Sequence, residues 1–165
     1  MCMEKWEISV FHFCKTTKEN MFLGQHQLFL KNDRYLVVPE PFREMFAEGA
    51  YITRGFEQNL LIMSDRVFQE LYKRITALNI ADPVARLLLR LVIGNASRLE
   101  ISASGRVLIP EDLRSFVGLE NGIIMVGQGN YLEVWAPADW EKQTTKLLDS
   151  ETNAGRFAQL DLALQ

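Results

Sequence analysis

The stretch Leu36-Val37-Val38-Pro39-Glu40 occurs a second time, 71 residues later, as Val107-Leu108-Ile109-Pro110-Glu111. The same displacement aligns further pairs along the chain: Leu28 with Leu99, Arg43 with Arg114, Ile52 with Ile123, Asn59 with Asn130, and Leu61 with Leu132. One further residue of slack aligns Phe68 with Trp140. Self-similarity at a fixed spacing predicts two tandem copies of one small unit.

Both copies predict the same order of elements. A strand rich in branched residues ends at Val38 or at Ile109, and the Pro that follows favours the first turn of a short helix. In copy two this helix covers residues 111–117, and Gly118 is the expected left-handed cap. A hairpin of two short strands then follows in each copy. We predict these strands over residues 51–53 and 60–63 in copy one, and over residues 123–126 and 131–135 in copy two.

Each copy is too short to build its own core. Strands of about four or five residues and a two-turn helix bury too little apolar area to offset the entropy of ordering. We therefore expect the copies to pack on one another in one pseudo-twofold, β-rich α+β body with helices at its rim. The predicted boundaries are 1–20 for a poorly ordered N-terminal extension, 21–80 for copy one, 81–97 for a linking helix, 98–148 for copy two, and 149–165 for a solvated C-terminal tail.

The linking helix has clear start and stop signals. Asp82 is placed to cap its N-terminus, Pro83 suits its first position, and Gly94-Asn95 ends it. The helix is apolar on almost every side, and a chain of this size has too little core to bury it alone. We therefore expect this helix to contact another subunit.

The candidate oligomer-interface residues on this helix are Arg86, Leu88, Arg90 and Leu91. Arg86 and Arg90 are four residues apart and share one face, so we expect them to pair with acidic groups or to point to solvent at a subunit boundary. Two solvated arginines beside a core helix explain the same pattern without any role in assembly.

Composition excludes several classes of protein. The chain has 165 residues, 48% of them hydrophobic and 24% charged, which is typical of a folded globular domain. No apolar run is long enough to span a membrane, and the first twenty residues lack the pattern of a secretory signal. Cys2 and Cys14, the only two cysteines, fit neither a disulfide framework nor a zinc site. We therefore expect a soluble protein in a reducing, cytoplasmic compartment.

Residue patterns that could support catalysis are sparse. His12 and His26 have no nucleophile or paired carboxylates at catalytic spacing, and Gly127-Gln128-Gly129 lies inside a hairpin and not between a strand and a helix. The sequence therefore predicts no enzymatic activity, no cofactor, no metal and no small-molecule substrate. With 18 basic residues against 21 acidic ones and a net charge of −3, any surface for nucleic acid must be a local basic patch.

Four stretches in a fixed order resemble the MraZ family. They are Met21-Phe22-Leu23-Gly24; Asp82-Pro83 with Ile93-Gly94-Asn95-Ala96-Ser97; Gly105-Arg106 leading to Ile109-Pro110; and Val126-Gly127-Gln128 before Glu133-Val134-Trp135. The resemblance covers about residues 21–145. It implies a bacterial transcriptional regulator whose two SpoVT-AbrB-like halves form a swapped-hairpin or double-split β-barrel.

The resemblance also implies the partners of the chain. Members of this family form ring-shaped homo-oligomers that bind repeated double-stranded DNA sites in the promoter of the cell-division and cell-wall gene cluster, with repression as the expected effect. The implied location is the nucleoid region of the cytoplasm, and no cofactor is implied.

The chain departs from the DNA-contacting signature of this family, which is an Asp, three residues and an Arg in each half. Lys31 and Tyr35 occupy these positions in copy one, and Ser102 and Arg106 occupy them in copy two. The candidate DNA-binding residues are Arg106 for base contacts and Lys31 for phosphate contacts, with Arg34 on the same edge. Adjacent residues of a strand point to opposite faces, so the use of Arg34 requires a local twist or bulge.

With so few cations on one protomer, DNA binding is expected to be collective. A ring that aligns the same residues of several protomers along one duplex raises the overall affinity by on the order of a hundredfold. The competing interpretation is an oligomeric scaffold or partner-binding module that has lost DNA readout, because neither signature Asp is present.

Overall fold

The structure, a computed structural model, describes residues 21–32 and 34–160. Its strands are β1 (Gln25–Phe29), β2 (Tyr35–Val37), β3 (Ala50–Arg54), β4 (Asn59–Ser64), β5 (Ser97–Leu99), β6 (Arg106–Leu108), β7 (Gly122–Gly127) and β8 (Tyr131–Trp135). Its helices are α1 (Glu40–Arg43), α2 (Asp65–Thr76), α3 (Pro83–Val92), α4 (Glu111–Val117), α5 (Pro137–Leu148) and α6 (Ser150–Phe157), with a 3-10 turn at Glu44–Phe46. The expected N-terminal extension, residues 1–20, lies outside the described residues.

The two copies exchange their first strands. Six strands form one antiparallel sheet in the order β1-β7-β8-β4-β3-β5, and β2 pairs with β6 in a separate two-stranded antiparallel ribbon. β1 of copy one therefore lies on the hairpin of copy two, and β5 of copy two lies on the hairpin of copy one. β4 and β8 join the two hairpins at the centre of the sheet. This arrangement confirms the α+β class and the expectation that the copies pack on one another.

The strand registers confirm the repeat and correct its alignment at the hairpins. Leu28 pairs with Ile123 and its counterpart Leu99 pairs with Ala50, so the counterpart of Ile123 is Ala50. The predicted match of Ile52 with Ile123 is therefore wrong. The reason is that Ile123 lies 12 residues after Glu111, whereas its counterpart Ala50 lies 10 residues after Glu40, so copy two has two more residues in this segment.

The predicted match of Leu61 with Leu132 is also wrong. Leu132 lies in the main core together with Leu60, whereas Leu61 packs in a second cluster with Phe68 on the other face of the sheet. A displacement by one residue moves a strand side chain to the opposite face, so Leu60 is the counterpart of Leu132. The match of Asn59 with Asn130 fails in the same way, since the first is buried in β4 and the second is exposed in a turn.

The predicted first strand of each copy is broken into two strands by a tight loop. In copy one, Asn32 has a φ of 51°, and backbone hydrogen bonds of 2.8 and 3.0 Å between Lys31 and Tyr35 close the loop. In copy two the corresponding loop contains Gly105, which has a φ of 77°. These left-handed residues turn the chain away from the six-stranded sheet, so that β2 and β6 meet as a ribbon.

The predicted helix signals are confirmed. Asp82 accepts a hydrogen bond of 2.8 Å from the backbone of Val84 at the start of α3, and Asn95 caps the other end through the carbonyls of Arg90 and Leu91. Gly118 ends α4 with a φ of 62°. Among the described residues, no helix is both long enough and apolar enough to cross a bilayer.

Residues 150–157 of the expected solvated C-terminal tail form the helix α6. Asp149 caps α6 by accepting a hydrogen bond of 3.1 Å from the backbone of Thr152, and the hydrogen bonds from Thr152 hold the pKa of this carboxyl below its ordinary value. Asn153 is buried because its amide donates to the carbonyls of Lys146 and Leu147 at the end of α5. The remaining residues of α6 are exposed.

Phe22 anchors the core that both copies share. It is fully buried, and its ring packs at centroid distances of 5.3 Å from Phe42 and 4.9 Å from Phe46. Its backbone pairs with Gly129 through hydrogen bonds of 2.6 and 2.9 Å. Gly127 permits this approach, because a Cβ at that position would lie 2.5 Å from the backbone of Phe22. The chain segment before β1 is thereby fixed to the hairpin of copy two.

We predict that Phe22→Ala lowers the free energy of unfolding by about 3–5 kcal/mol, because it leaves a cavity between the copies. Leu23→Ala is the matched control: Leu23 is 60% exposed, so its loss is expected to change stability by less than about 0.5 kcal/mol. Urea denaturation followed by tryptophan fluorescence measures both values. Equal effects of the two substitutions would contradict the anchoring role of Phe22.

Candidate nucleic-acid interface

The two-stranded ribbon of β2 and β6 has one buried face and one open face. Leu36 and Val107 pair directly and point into the core, with 0% and 1% exposure. Tyr35 pairs with Leu108, and Val37 pairs with Arg106. Since alternate residues of a strand point to opposite faces, these four side chains form the outer face, and three of them are exposed.

The two loops extend this outer face at opposite ends of the ribbon. Lys31 forms an antiparallel bridge with Tyr35, so its side chain projects to the same side as the tyrosine ring. In the second loop, the backbone of Ser102 donates to the carbonyl of Arg106, and its hydroxyl accepts from the Arg106 backbone, both at 3.0 Å. Each loop therefore holds the first residue of its ribbon strand in place.

A pseudo-twofold relates the two ends of the ribbon. The pairing of Leu36 with Val107 lies on it, because these residues are counterparts in the repeat and face each other directly. The same operation places Tyr35 at the position of Arg106 and Lys31 at the position of Ser102. The ribbon is symmetric in its backbone and asymmetric in its side chains.

The structure places Lys31 and Arg106 on this outer face and Arg34 at the end of the ribbon, beside β6. Lys31, Arg34 and Arg106 are all exposed, and within the described part of the chain their side chains form no hydrogen bond or ion pair. The carbonyl of Arg34 accepts a hydrogen bond of 3.4 Å from the backbone of Ile109, which holds Arg34 beside the end of β6. Ile109 is buried, so the bend that would turn the Arg34 side chain to the outer face stays a prediction.

Gly105 is needed both for its conformation and for its small size. The backbone of Val38 donates to the Gly105 carbonyl at 2.8 Å, and Arg43 donates from its Nε to the Val38 carbonyl at 3.0 Å. A Cβ on Gly105 would contact the Arg43 guanidinium and would lie 2.9 Å from the Val38 carbonyl oxygen. Arg43 thus supports the loop that carries Arg106 from behind.

The outer face also has an apolar part, which the sequence pattern did not predict. Tyr35 is 37% exposed and Leu108 is 51% exposed, and they are direct cross-strand neighbours. The sequence has no alternation that could have identified Leu108, because residues 107–109 are all apolar. Its exposure between the buried residues Val107 and Ile109 is seen only in the structure. Among the described residues, no group of three His, Cys, Asp or Glu side chains is arranged to hold a metal ion.

The predicted oligomer-interface residues lie in two different environments on α3. Arg86 donates from Nη1 to the carbonyls of Ile80 and Ala81 at 2.7 and 2.9 Å, just before the start of the helix. Its role at a subunit boundary stays a prediction. Arg90 is exposed, and Leu88 and Leu91 are half-buried.

An apolar stripe runs along α3 on the side away from the core. Ala85 and Val92 are buried, whereas Val84 is 70% exposed and Leu87 is 64% exposed. The stripe consists of Val84, Leu87, Leu88 and Leu91, whose spacing places them on one face of a helix. Ile80, which is 69% exposed, extends it into the loop between α2 and α3. We call these five residues the α3 stripe.

We predict that Gly105→Ala destabilises the protein more than Gly118→Ala does. Both positions have positive φ, so both variants carry a backbone cost of about 1–2 kcal/mol. Only Gly105 also meets neighbouring atoms, whereas a Cβ on Gly118 meets none within 4 Å. The additional loss at Gly105 should be about 1 kcal/mol or more by urea denaturation. A larger loss for Gly118→Ala would contradict the described contact with Arg43 and Val38.

Comparisons with known proteins identify the family of the chain. Residues 92–161 match the family model described as "MraZ protein, putative antitoxin-like". The chain is 38% identical over 121 residues to "Transcriptional regulator MraZ" of Herpetosiphon aurantiacus, covering 73% of this chain and 85% of that protein. It is 35% identical over 127 residues to the protein of the same name from Thermomicrobium roseum, covering 77% and 89%. The chain therefore belongs to the MraZ family.

Proposed function

We propose that the chain is a transcriptional regulator that binds double-stranded DNA in a sequence-specific manner through the outer face of the β2–β6 ribbon. The observation that carries this proposal is the exposed Arg106 on a two-stranded antiparallel ribbon that stands apart from the main sheet. The relatives that cover most of the chain are named as transcriptional regulators. We further propose that the exchanged halves form an AbrB-like swapped-hairpin barrel around the core.

The dimensions of the ribbon suit the major groove of DNA. That groove is about 12 Å wide and admits a two-stranded β-ribbon. Arg106 has the donor geometry for bidentate contact with guanine, and its guanidinium has no competing partner among the described residues. Lys31 and Arg34, on the loop at the other end of the ribbon, contact the phosphates and set the register.

Homo-oligomerisation is part of the proposal. The chain has a net charge of −3, and three cations on one ribbon neutralise few phosphates, so one protomer alone would bind weakly. We propose that the α3 stripe contacts a second copy of the chain and that protomers close into a ring. The ring would present several ribbons to repeated promoter sites of the cell-division and cell-wall gene cluster, in the nucleoid region of the cytoplasm.

A scaffold that has lost DNA readout is the second candidate function. It is favoured by one observation, the apolar pair Tyr35 and Leu108 at the end of the ribbon where the signature predicts an arginine. Such a module would keep the α3 stripe for assembly and use the ribbon to hold another protein.

We expect Arg106→Ala to weaken binding to a duplex from upstream of the chain's own gene by about tenfold or more, measured by fluorescence anisotropy. Lys31→Ala should weaken binding to all duplexes alike and reduce the slope of log affinity against log salt by about one per protomer. Arg66→Ala removes the same charge from an exposed position on α2 and serves as the control. No binding by the unaltered protein at low salt would favour the scaffold.

We expect Val84→Asp and Leu87→Asp to dissociate the oligomer while leaving the protomer folded, because both residues are exposed in one protomer and a buried, unpaired carboxylate costs several kcal/mol. Leu88→Asp and Leu91→Asp should dissociate it too, but should also destabilise the half-buried side of the helix. Light scattering gives the mass, and circular dichroism checks the fold.

Phe56→Asp is the matched control for these substitutions, because Phe56 is 69% exposed in the turn between β3 and β4 and lies outside the α3 stripe. It should leave the mass unchanged. An assembled mass that survives both Val84→Asp and Leu87→Asp would exclude the α3 stripe as the subunit interface.

A further inference from the structure

We propose that Tyr35 and Leu108 determine base specificity at one end of the ribbon by contacting the methyl group of a thymine, while Arg106 contacts a guanine at the other end. This inference rests on the proposed binding of DNA by the ribbon and adds to it the identity of the second contact. Its consequence is that one protomer recognises an asymmetric DNA element although its backbone is pseudo-symmetric.

Tyr35 and Arg106 occupy equivalent positions at the two ends of the ribbon. Tyr35 and Arg106 are counterparts in the repeat, begin the two ribbon strands, and lie on the same outer face. Whatever DNA edge Arg106 approaches at its end of the ribbon, Tyr35 approaches the corresponding edge at the other end. The two side chains cannot make the same contact, because guanidinium donates hydrogen bonds in a fork and tyrosine presents a ring with one hydroxyl.

Arg106 and Tyr35 have different immediate neighbours on the ribbon. Arg106 pairs across the ribbon with Val37 and is held by Ser102, whose hydroxyl is engaged with the loop backbone and with Ser104. Tyr35 pairs with Leu108, and cross-strand neighbours of this kind have Cβ atoms about 5 Å apart. The ring and the isobutyl group therefore form one continuous apolar platform.

The apolar platform of Tyr35 and Leu108 is exposed to solvent. Tyr35 is 37% exposed, Leu108 is 51% exposed, and the tyrosine hydroxyl makes no hydrogen bond within the part of the chain that is described. Neither side chain is needed for the core, because Leu36 and Val107 between them already fill its inner side. Two apolar side chains that are adjacent, exposed and not required for packing are available to contact a partner.

The apolar platform suits one of the base edges that the major groove presents. Guanine presents two acceptors there, which suit arginine, whereas thymine presents a methyl group that apolar and aromatic side chains contact. Lys31 lies next to Tyr35 on the other side from Leu108 and supplies the phosphate contact that holds the platform against the bases. Cytosine and guanine offer the platform polar edges without a methyl group and are therefore disfavoured.

Selection from a library of duplexes with a randomised central segment tests the proposal. The unaltered protein should enrich elements with guanine at one end and thymine at the other, and Tyr35→Arg should change the thymine to guanine. Tyr35→Phe should leave the enriched element unchanged, because the ring carries the contact. Guanine at both ends with the unaltered protein, or no change with Tyr35→Arg, would overturn the proposal.

A second measurement removes the methyl group alone. Replacing the selected thymine by deoxyuridine should weaken binding of the unaltered protein by about fourfold, as expected for one buried methyl group. The double variant Tyr35→Ser with Leu108→Ser should bind both duplexes equally. Thermal unfolding checks that this variant is folded, which its exposed positions favour. Equal affinity of the unaltered protein for the two duplexes would refute the methyl contact.

The two experiments separate this inference from the proposed function. If the unaltered protein enriches no sequence, DNA recognition by the ribbon is refuted and the thymine contact with it. If it enriches a guanine that depends on Arg106 and no thymine, the proposed function stands and only the role of Tyr35 and Leu108 is refuted.

Discussion

The exchange of first strands between the two copies is the constraint on which the rest of the structure depends. β1 completes the hairpin of copy two, and β5 completes the hairpin of copy one, so that neither copy closes its sheet alone. The two crossing segments that result are β2 and β6, and they pair with each other. The ribbon is thus a consequence of the exchange, and Phe22 and Gly127 fix the chain at the point where the exchange begins.

The duplicated backbone places two equivalent positions at the ends of this ribbon, and the two copies have filled them differently. Copy two holds Arg106, and copy one holds Tyr35 beside Lys31. A duplicated fold keeps its geometry as long as the inward residues Leu36 and Val107 are apolar, so the outward residues are free to differ. The symmetry of the core and the asymmetry of the surface therefore have separate physical causes.

Much of the fold could be predicted from the sequence because its signals are local. The cap at Asp82, the left-handed Gly118 and the two hairpins all depend on neighbouring residues, and all are confirmed. The alignment failed at Ile52 because copy two has two additional residues before its hairpin, and at Leu61 because the net displacement there is one residue. Neither change leaves a composition signal. The break in the first strand was missed because Asn32 adopts a conformation that is rare for residues other than glycine.

The candidate site was predictable only in part. The cations could be named from the repeat and its altered signature, but the common face of Lys31 and Arg106 depends on the pairing of β2 with β6, which are far apart in the chain. Tyr35 and Leu108 could not be paired from sequence for the same reason. The hydrogen bonds of Arg86 could not be predicted either, because its partners are backbone carbonyls, which carry no signal in the sequence.

Hydrogen–deuterium exchange of the protein with and without duplex DNA shows whether the ribbon formed by strand exchange is the surface that contacts DNA. We expect DNA to slow exchange in residues 31–37 and 102–108 and to leave α2 and the exposed side of α5 unchanged. Slowed exchange confined to the helices, with no change in these two ribbon segments, would contradict it.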